Sequence, residues 1–196
     1  MRTTNHTFRL LLPALLLVAP AFAADTYKID AVHSEVGFKV RHLVSRVSGR
    51  FTKFDGTIQL DEKNIQNSNV SVNIEAASIN TDNASRDTHL RSADFFEAAK
   101  FPAITFKSTS VKEVSKGQLE VTGDFTMHGV TKRIILPITS LGGMASPFKD
   151  FRAGFEGNLK INRQDYGVKG GTPVVGDDVD ISISVEAVKQ APEAKK

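Results

Sequence analysis

Apolar and polar residues alternate with a period of two along most of the chain after residue 24. The alternation is clearest in four segments: 36–40, 70–76, 119–127 and 179–187. A weaker form of it occurs in four more: 53–60, 103–111, 132–139 and 153–162. This pattern is typical of β-strands with one buried face and one wet face, so about eight strands are predicted. Strands with a polar face exclude a parallel sheet covered by helices on both sides.

Turn-forming residues separate several of these segments. His128-Gly129 lies between two apolar runs and predicts a tight hairpin, because both residues tolerate positive φ better than most. Glycine and proline predict loops at 142–147 and 170–173. Residues 190–196 have the composition of a flexible C-terminal tail.

Residues 78–102 do not follow the β pattern and form a long connector. Their spacing predicts two short helical pieces, and Asp94 with Glu97 resembles a capping box for the second. Connections of this length in a compact β domain are commonly lids or binding loops. The connector carries Leu90, Phe95 and Phe96, which are too apolar to lie free in water, so it is predicted to be a lid.

About eight strands, each with one apolar face, are compatible with two architectures. In a two-sheet sandwich the apolar faces fill each other. In a closed eight-stranded barrel the interior is either just filled or holds one small ligand. Periodicity alone does not choose between these folds.

Composition and the N-terminus restrict the function. The 196 residues include no cysteine, which excludes a disulfide scaffold, a thiol redox enzyme and cysteine-ligated metals. Residues 1–23 have the pattern of a cleaved signal peptide: Arg2 and Arg9, a short apolar run, and Ala21-Phe22-Ala23 at the cleavage site. Without these two arginines the net charge of +3 falls by two, so no nucleic-acid surface is predicted. The expected location is a bacterial periplasm.

Several blocks of the sequence resemble the YceI-like family, whose members are also called polyisoprenoid-binding or base-induced periplasmic proteins. The matching blocks are 27–30, 33–42, 49–56, 78–81, 86–96, 101–102, 123–132 and 161–167. The most specific block is Arg86–Phe96, followed by Phe101-Pro102. The resemblance covers nearly all of residues 25–188, in family order.

The resemblance implies an all-β fold: an extended, eight-stranded, antiparallel, lipocalin-like barrel with a short helical connector around a long apolar cavity. This lipid-binding domain would span 24–189. The family resemblance implies a bound long-chain isoprenoid or fatty lipid, no other cofactor and no catalytic residues. It also suggests a homodimer and a partner among cytochrome b561-type membrane proteins.

Apolar residues on the predicted inner faces and in the connector are the candidate ligand contacts. They are Val36, Phe38, Val40, His42, Phe51, Phe54, Ile74, Phe95, Phe96, Phe106, Phe125 and Phe155. Any one of the phenylalanines could simply fill the core. A polar head group would need donors at the cavity mouth, and the candidates are Arg86, His89 and Arg163. Arg86 could instead be solvated or pair with Asp87 to order the connector.

Other site chemistry has little support in the sequence. Histidines 33, 42, 89 and 128 lack the spacing of a metal site. There is no G-x-S-x-G elbow, no evident Ser/His/Asp set and no glycine-rich phosphate loop. Two non-enzymatic hypotheses remain. The protein is a periplasmic carrier of a long-chain isoprenoid lipid, polyprenyl or quinone-like, or of a fatty-acid-like lipid. Alternatively, it is an interaction module that contacts a b561-type cytochrome through its outer face.

Overall fold

The structure is a computed structural model and describes residues 24–191. In this range it contains eleven β-strands, one α-helix and three short 3-10 helices. The strands are β1 Asp25–Ile29, β2 Glu35–His42, β3 Ser45–Phe51, β4 Phe54–Leu60, β5 Asn69–Glu75, β6 Ile79–Asn80, β7 Ala103–Ser115, β8 Gln118–Met127, β9 Val130–Ala145, β10 Phe151–Asn162 and β11 Val175–Lys189. The helix α1 is Ala84–Arg91, and the 3-10 helices are Ile65–Asn67, Ala76–Ser78 and Arg163–Tyr166. No helix in this part of the chain has the length and apolar character needed to cross a membrane.

The strands form one closed antiparallel barrel with eight positions in its wall. Three of these positions are each filled by two short strands in succession: β1 with β2, β3 with β4, and β5 with β6. The first half of β11 pairs with β2 and its end pairs with β1, while its other edge pairs with β10, which closes the barrel. The predicted eight-stranded antiparallel barrel is therefore confirmed.

Alternating burial along the strands fills the interior. In β8, Leu119, Val121, Gly123, Phe125 and Met127 are buried, and the residues that alternate with them are less buried and face outwards. This is the period of two on which the strand prediction depended. The prediction missed β1 because it has only five residues, and β3 because serine, arginine and glycine interrupt its apolar positions.

The barrel has two unlike ends. The cap end carries the β2–β3 turn, the β8–β9 turn, the connector and the loop between β10 and β11. The far end carries the β4–β5, β7–β8 and β9–β10 connections. The β8–β9 turn confirms the predicted hairpin, since His128 and Gly129 have φ of 51° and 75°. The predicted loop at 142–147 is wrong at its start, because β9 continues to Ala145.

The connector contains one helix, not two. Helix α1 begins after Asn83, whose side chain accepts a hydrogen bond from Arg86 N at 2.9 Å. The predicted second piece is a series of turns, in which the Phe96 and Ala98 N–H groups donate to Leu90 and Arg91 carbonyls. Asp94 does not cap a helix, because its carboxylate contacts His89 Nε2 at 2.9 Å.

Candidate binding cavity

An elongated cavity follows the barrel axis and has a volume of about 240 Å³. It extends from Leu60 and Ile65 at the far end to Val168 and Val175 at the cap end. Its wall consists almost entirely of aliphatic and aromatic side chains.

Eleven of the twelve candidate ligand contacts line this cavity. They are Val36, Phe38, Val40, Phe51, Phe54, Ile74, Phe95, Phe96, Phe106, Phe125 and Phe155. His42 is the exception among the candidates. It is the last residue of β2, one inward step beyond Val40, and lies at the rim where the strand turns.

Two glycines in the wall make room for phenylalanine rings, and the strand pattern did not reveal them. Gly49 is paired with Phe38, and a Cβ at Gly49 would lie 2.4 Å from the ring. A Cβ at Gly123 would lie 2.5 Å from the ring of Phe106. Because each ring occupies the space above a glycine, it lies against the wall and takes up less of the lumen. A glycine directly opposite an aromatic residue on the neighbouring strand would have indicated this packing. The sequence alone does not show which residues are opposite each other, because that depends on the strand register.

The connector and the β10–β11 loop together form a cap over one end of the cavity. The cap is defined here as residues 81–102 and 163–174. Phe95 is 8% exposed and lines the cavity, and the Phe96 ring packs edge-on against Phe51 of the wall with a centroid distance of 5.9 Å. The two parts of the cap touch closely, since a Cβ at Gly170 would lie 2.2 Å from Asp94 O.

Arg163 is a structural residue of the cap. It is 4% exposed, and its guanidinium donates to four backbone carbonyls and contacts two side-chain oxygens. The acceptors are the carbonyls of Val168, Gly170, Val175 and Gly176, at 2.7–3.1 Å, with Thr172 Oγ1 and Asp177 Oδ1 further away. A guanidinium has five N–H groups, so none remains for a lipid head group. This corrects the predicted head-group role of Arg163. Burial lowers the pKa of Arg163 from its usual value, and the Asp177 carboxylate acts against that change.

Arg86 and His89 lie outside the cavity wall. Arg86 donates to the Thr81 hydroxyl and carbonyl, each at 2.7 Å, and Thr81 in turn donates to buried Asp87. Arg86 therefore orders the start of the connector, but it does so through Thr81 and not through the predicted ion pair with Asp87. His89 is exposed beside Asp94, and the predicted head-group cluster is not assembled.

Arg91, a third arginine of the cap, also binds backbone carbonyls. Arg91 donates from Nε to Ala77 O at 2.6 Å and from Nη2 to Ile79 O at 2.9 Å. These bonds attach the end of α1 to the 3-10 helix Ala76–Ser78 and to the short strand β6 that follows it. Nothing in the local sequence identifies such long-range carbonyl partners.

A charged cluster lies on the outer wall, where β1 ends. Asp30, His33 and Glu186 bring three potential ligand atoms together. The Arg152 guanidinium already occupies this site, 3.1 Å from Asp30 Oδ2 and hydrogen-bonded to Glu186. The hydrogen bond from His33 is the main reason that the pKa of Asp30 lies below its usual value. A guanidinium placed between these carboxylates disfavours a metal ion there.

Comparisons with known proteins agree with this geometry. Residues 27–187 match the YceI-like domain. The chain is 43% identical over 180 residues to protein YceI of Escherichia coli O157:H7, which covers 90% of this chain and 94% of that protein. A Campylobacter jejuni YceI crystal structure is 34% identical, with a TM-score of 0.70, over 83% of this chain and 96% of that one. A polyisoprenoid binding domain from Saccharophagus degradans, implicated in plant cell wall breakdown, has the same fold at 18% identity. Its TM-score is 0.68, and the match covers 84% of this chain and 98% of that one.

Proposed function

The chain belongs to the family of YceI-like domains, and from this premise we propose that its barrel binds a long-chain isoprenoid or fatty lipid. The observation that carries the proposal is the elongated cavity of about 240 Å³, whose wall is almost wholly apolar. The structural neighbour described as a polyisoprenoid binding domain supports the same ligand class.

The tail of the lipid supplies the binding energy in this proposal. Transfer of each methylene-sized group from water to an apolar site contributes about 0.8 kcal/mol. A few isoprene units therefore offset the entropy lost on association without any hydrogen bond. Since Arg163 has no N–H group left to donate, the head group has no strong donor in the wall and remains near an end of the barrel.

We further propose that the protein acts as a carrier or reservoir in the periplasm and has no catalytic activity. The export pattern at 1–23 supports the location, although these residues lie outside the described part of the chain. The cavity wall of the described residues contains one charged side chain, Arg163, and it is fully engaged in hydrogen bonds. A cytochrome b561-type partner and a homodimer stay predictions.

Native mass spectrometry of protein purified from its cells tests the proposal. A carrier should retain a co-purified lipid of several hundred daltons, which solvent extraction releases and identifies as prenyl or fatty in character. Delipidated protein should take the lipid up again. The same spectrum should show a chain beginning at Ala24. A homogeneous ligand-free mass, together with no uptake of prenol or fatty amide, would overturn the carrier hypothesis and favour an interaction module.

A further inference from the structure

The β2–β3 turn at the cap end exposes two large apolar side chains. Leu43 is 57% exposed and Val44 is 104% exposed, so the valine has essentially no contact with the rest of the barrel. Val174, from the cap, is also exposed and joins them, because Leu43 N donates to Val174 O at 2.9 Å. These three residues form a small apolar tip that no described part of the protein covers.

The turn itself gains nothing from these residues. Leu43 has a φ of 49°, in a region where glycine is favoured and a branched side chain costs energy. A two-residue hairpin is normally made of glycine, asparagine or aspartate. The stability of the turn alone would therefore favour glycine, asparagine or aspartate at these positions. A contact with another molecule would account for Leu43 and Val44.

Cations flank the tip on both strands. Residues 39–50 contain Lys39, Arg41, Arg46 and Arg50 and no acidic residue. Arg46 pairs with Asp180 and Arg50 lies near Asp82. Lys39 and Arg41 form no ion pair within residues 24–191. A basic hairpin with an apolar tip is complementary to an anionic lipid surface, where cations meet head groups and apolar side chains enter the interface.

The tip is also next to the cavity. Val40 lines the cavity two residues before His42. On the neighbouring strand, Val175 lines the cavity and is paired with His42. A surface that held the tip would therefore lie against the cap end, within reach of the end of the lumen.

We propose that the β2–β3 tip docks the cap end of the barrel onto an anionic phospholipid bilayer. Leu43 and Val44 enter the interfacial region while Lys39 and Arg41 contact lipid phosphates. The proposal that the protein docks depends only on the tip and its flanking cations. The further step, in which a lipid passes between the bilayer and the cavity, rests on the proposed function.

The far end offers a matched control. Leu141, Met144 and Phe148 are exposed there, but Asp150 lies in the same turn and the Arg152 guanidinium is 5.8 Å from the Phe148 ring centre. Both ends thus carry three exposed apolar side chains, and those of the far end are the larger. Only the cap end combines them with an unbroken basic hairpin.

A tryptophan introduced at the tip reports docking directly, because the chain has none of its own. In Val44→Trp, emission should shift to the blue on vesicles of phosphatidylethanolamine and phosphatidylglycerol, and brominated lipid should quench it. The shift should be absent on pure phosphatidylcholine and should weaken in high salt. Met144→Trp should show no shift. An unshifted emission for Val44→Trp, or a shift for Met144→Trp alone, overturns the proposal.

A second variant separates docking from lipid binding. Leu43→Gly/Val44→Ser removes the apolar tip and relaxes the positive φ, so the barrel should keep or gain stability. Its affinity for the anionic vesicles should fall at least tenfold, while its binding of farnesol in solution should equal that of the wild type. Undiminished vesicle binding overturns docking by the tip. Absence of farnesol binding in both proteins would instead contradict the proposed function and leave the vesicle result standing.

Discussion

The barrel wall and the cap are held in place by different kinds of interaction. Each wall strand is hydrogen-bonded along its length to its neighbours and buries one apolar face. The cap has one eight-residue helix, and side chains attach it to the backbone of the wall and of itself. Arg86, Arg91 and Arg163 supply most of these bonds. A wall of this kind tolerates single polar changes on its outer face, whereas the cap depends on a few buried donors.

The largest effect is expected from removing one such donor. Arg163→Met leaves the carbonyls of Val168, Gly170 and Gly176 without their partner, in a buried setting. We expect a loss of about 3–5 kcal/mol in the free energy of unfolding. Urea denaturation measures it.

The control for that comparison is an arginine of the outer wall. Arg133 pairs with Asp124 in an exposed position, so Arg133→Met should cost at most about 1 kcal/mol. Equal losses in the two variants would show that the cap and the wall do not differ in the way described.

The next largest effect is expected on the rate at which a bound lipid leaves the cavity past the cap. Phe95 and Phe96 face the cavity from the cap, and replacing both by serine removes two apolar contacts without altering a strand. Since a buried phenylalanine contributes about 1.5–3 kcal/mol, release of a fluorescent prenyl ligand should accelerate about tenfold or more. Stopped-flow fluorescence measures the rate. Phe148→Ser, an exposed change at the far end, should leave it unchanged. An unaltered off-rate in the folded double variant would place the exit at the far end.

A substitution on the inner face of the wall should affect how much lipid the cavity takes up more than how fast the lipid is released. Phe38 lines the cavity and its ring lies above Gly49, so Phe38→Trp narrows the lumen. We expect overpacking to cost about 1–3 kcal/mol while the barrel persists. Uptake should fall most for the longest prenols, as measured by equilibrium titration. Glu35→Trp places the same side chain on the outer face and should not alter uptake. Equal uptake of an octaprenol-length ligand by Phe38→Trp and wild type would contradict the claim that the lipid tail lies beside Phe38.

The smallest effect is expected on the loss of stability of the barrel wall at acidic pH. The pKa of Asp30 is lowered in the fold, chiefly by the hydrogen bond from His33. A lowered pKa contributes stability that is present above the ordinary value of 3.8 and is lost as the pH falls below it. Asp30→Asn should therefore flatten the fall in urea midpoint between pH 5 and pH 3, whereas Asp178→Asn, on an exposed residue, should not. An unchanged slope in Asp30→Asn would show that the cluster around Arg152 does not contribute to acid stability.

The same contrast explains what the sequence could predict. A period of two is a local signal, so it identified the eight positions of the wall, and His128-Gly129 identified one hairpin. β3 was missed because Ser45, Ser48 and Gly49 weaken its alternation. In the cap the decisive interactions join residues distant in sequence, such as Arg91 with Ala77.

The candidate site divides along the same lines. Inward positions such as Phe38 and Phe125 follow from alternation, and they line the cavity. Arg163 was assigned to a head group because arginine binds anions well. Its actual acceptors are carbonyls of the 163–177 segment, and only the folded backbone brings these together. The pairing of Gly49 with Phe38 likewise requires the strand register.

The dependence of affinity on chain length tests the central claim most directly. If the cavity holds the tail, the affinity of delipidated protein for prenols should rise with each added isoprene unit, with a negative heat-capacity change, because each unit buries apolar surface. The rise should stop once the added units extend beyond the lumen and remain in water. Isothermal titration across a series from two to eight units measures it. An affinity that is independent of chain length, or no binding at any length, would contradict a lipid-holding barrel.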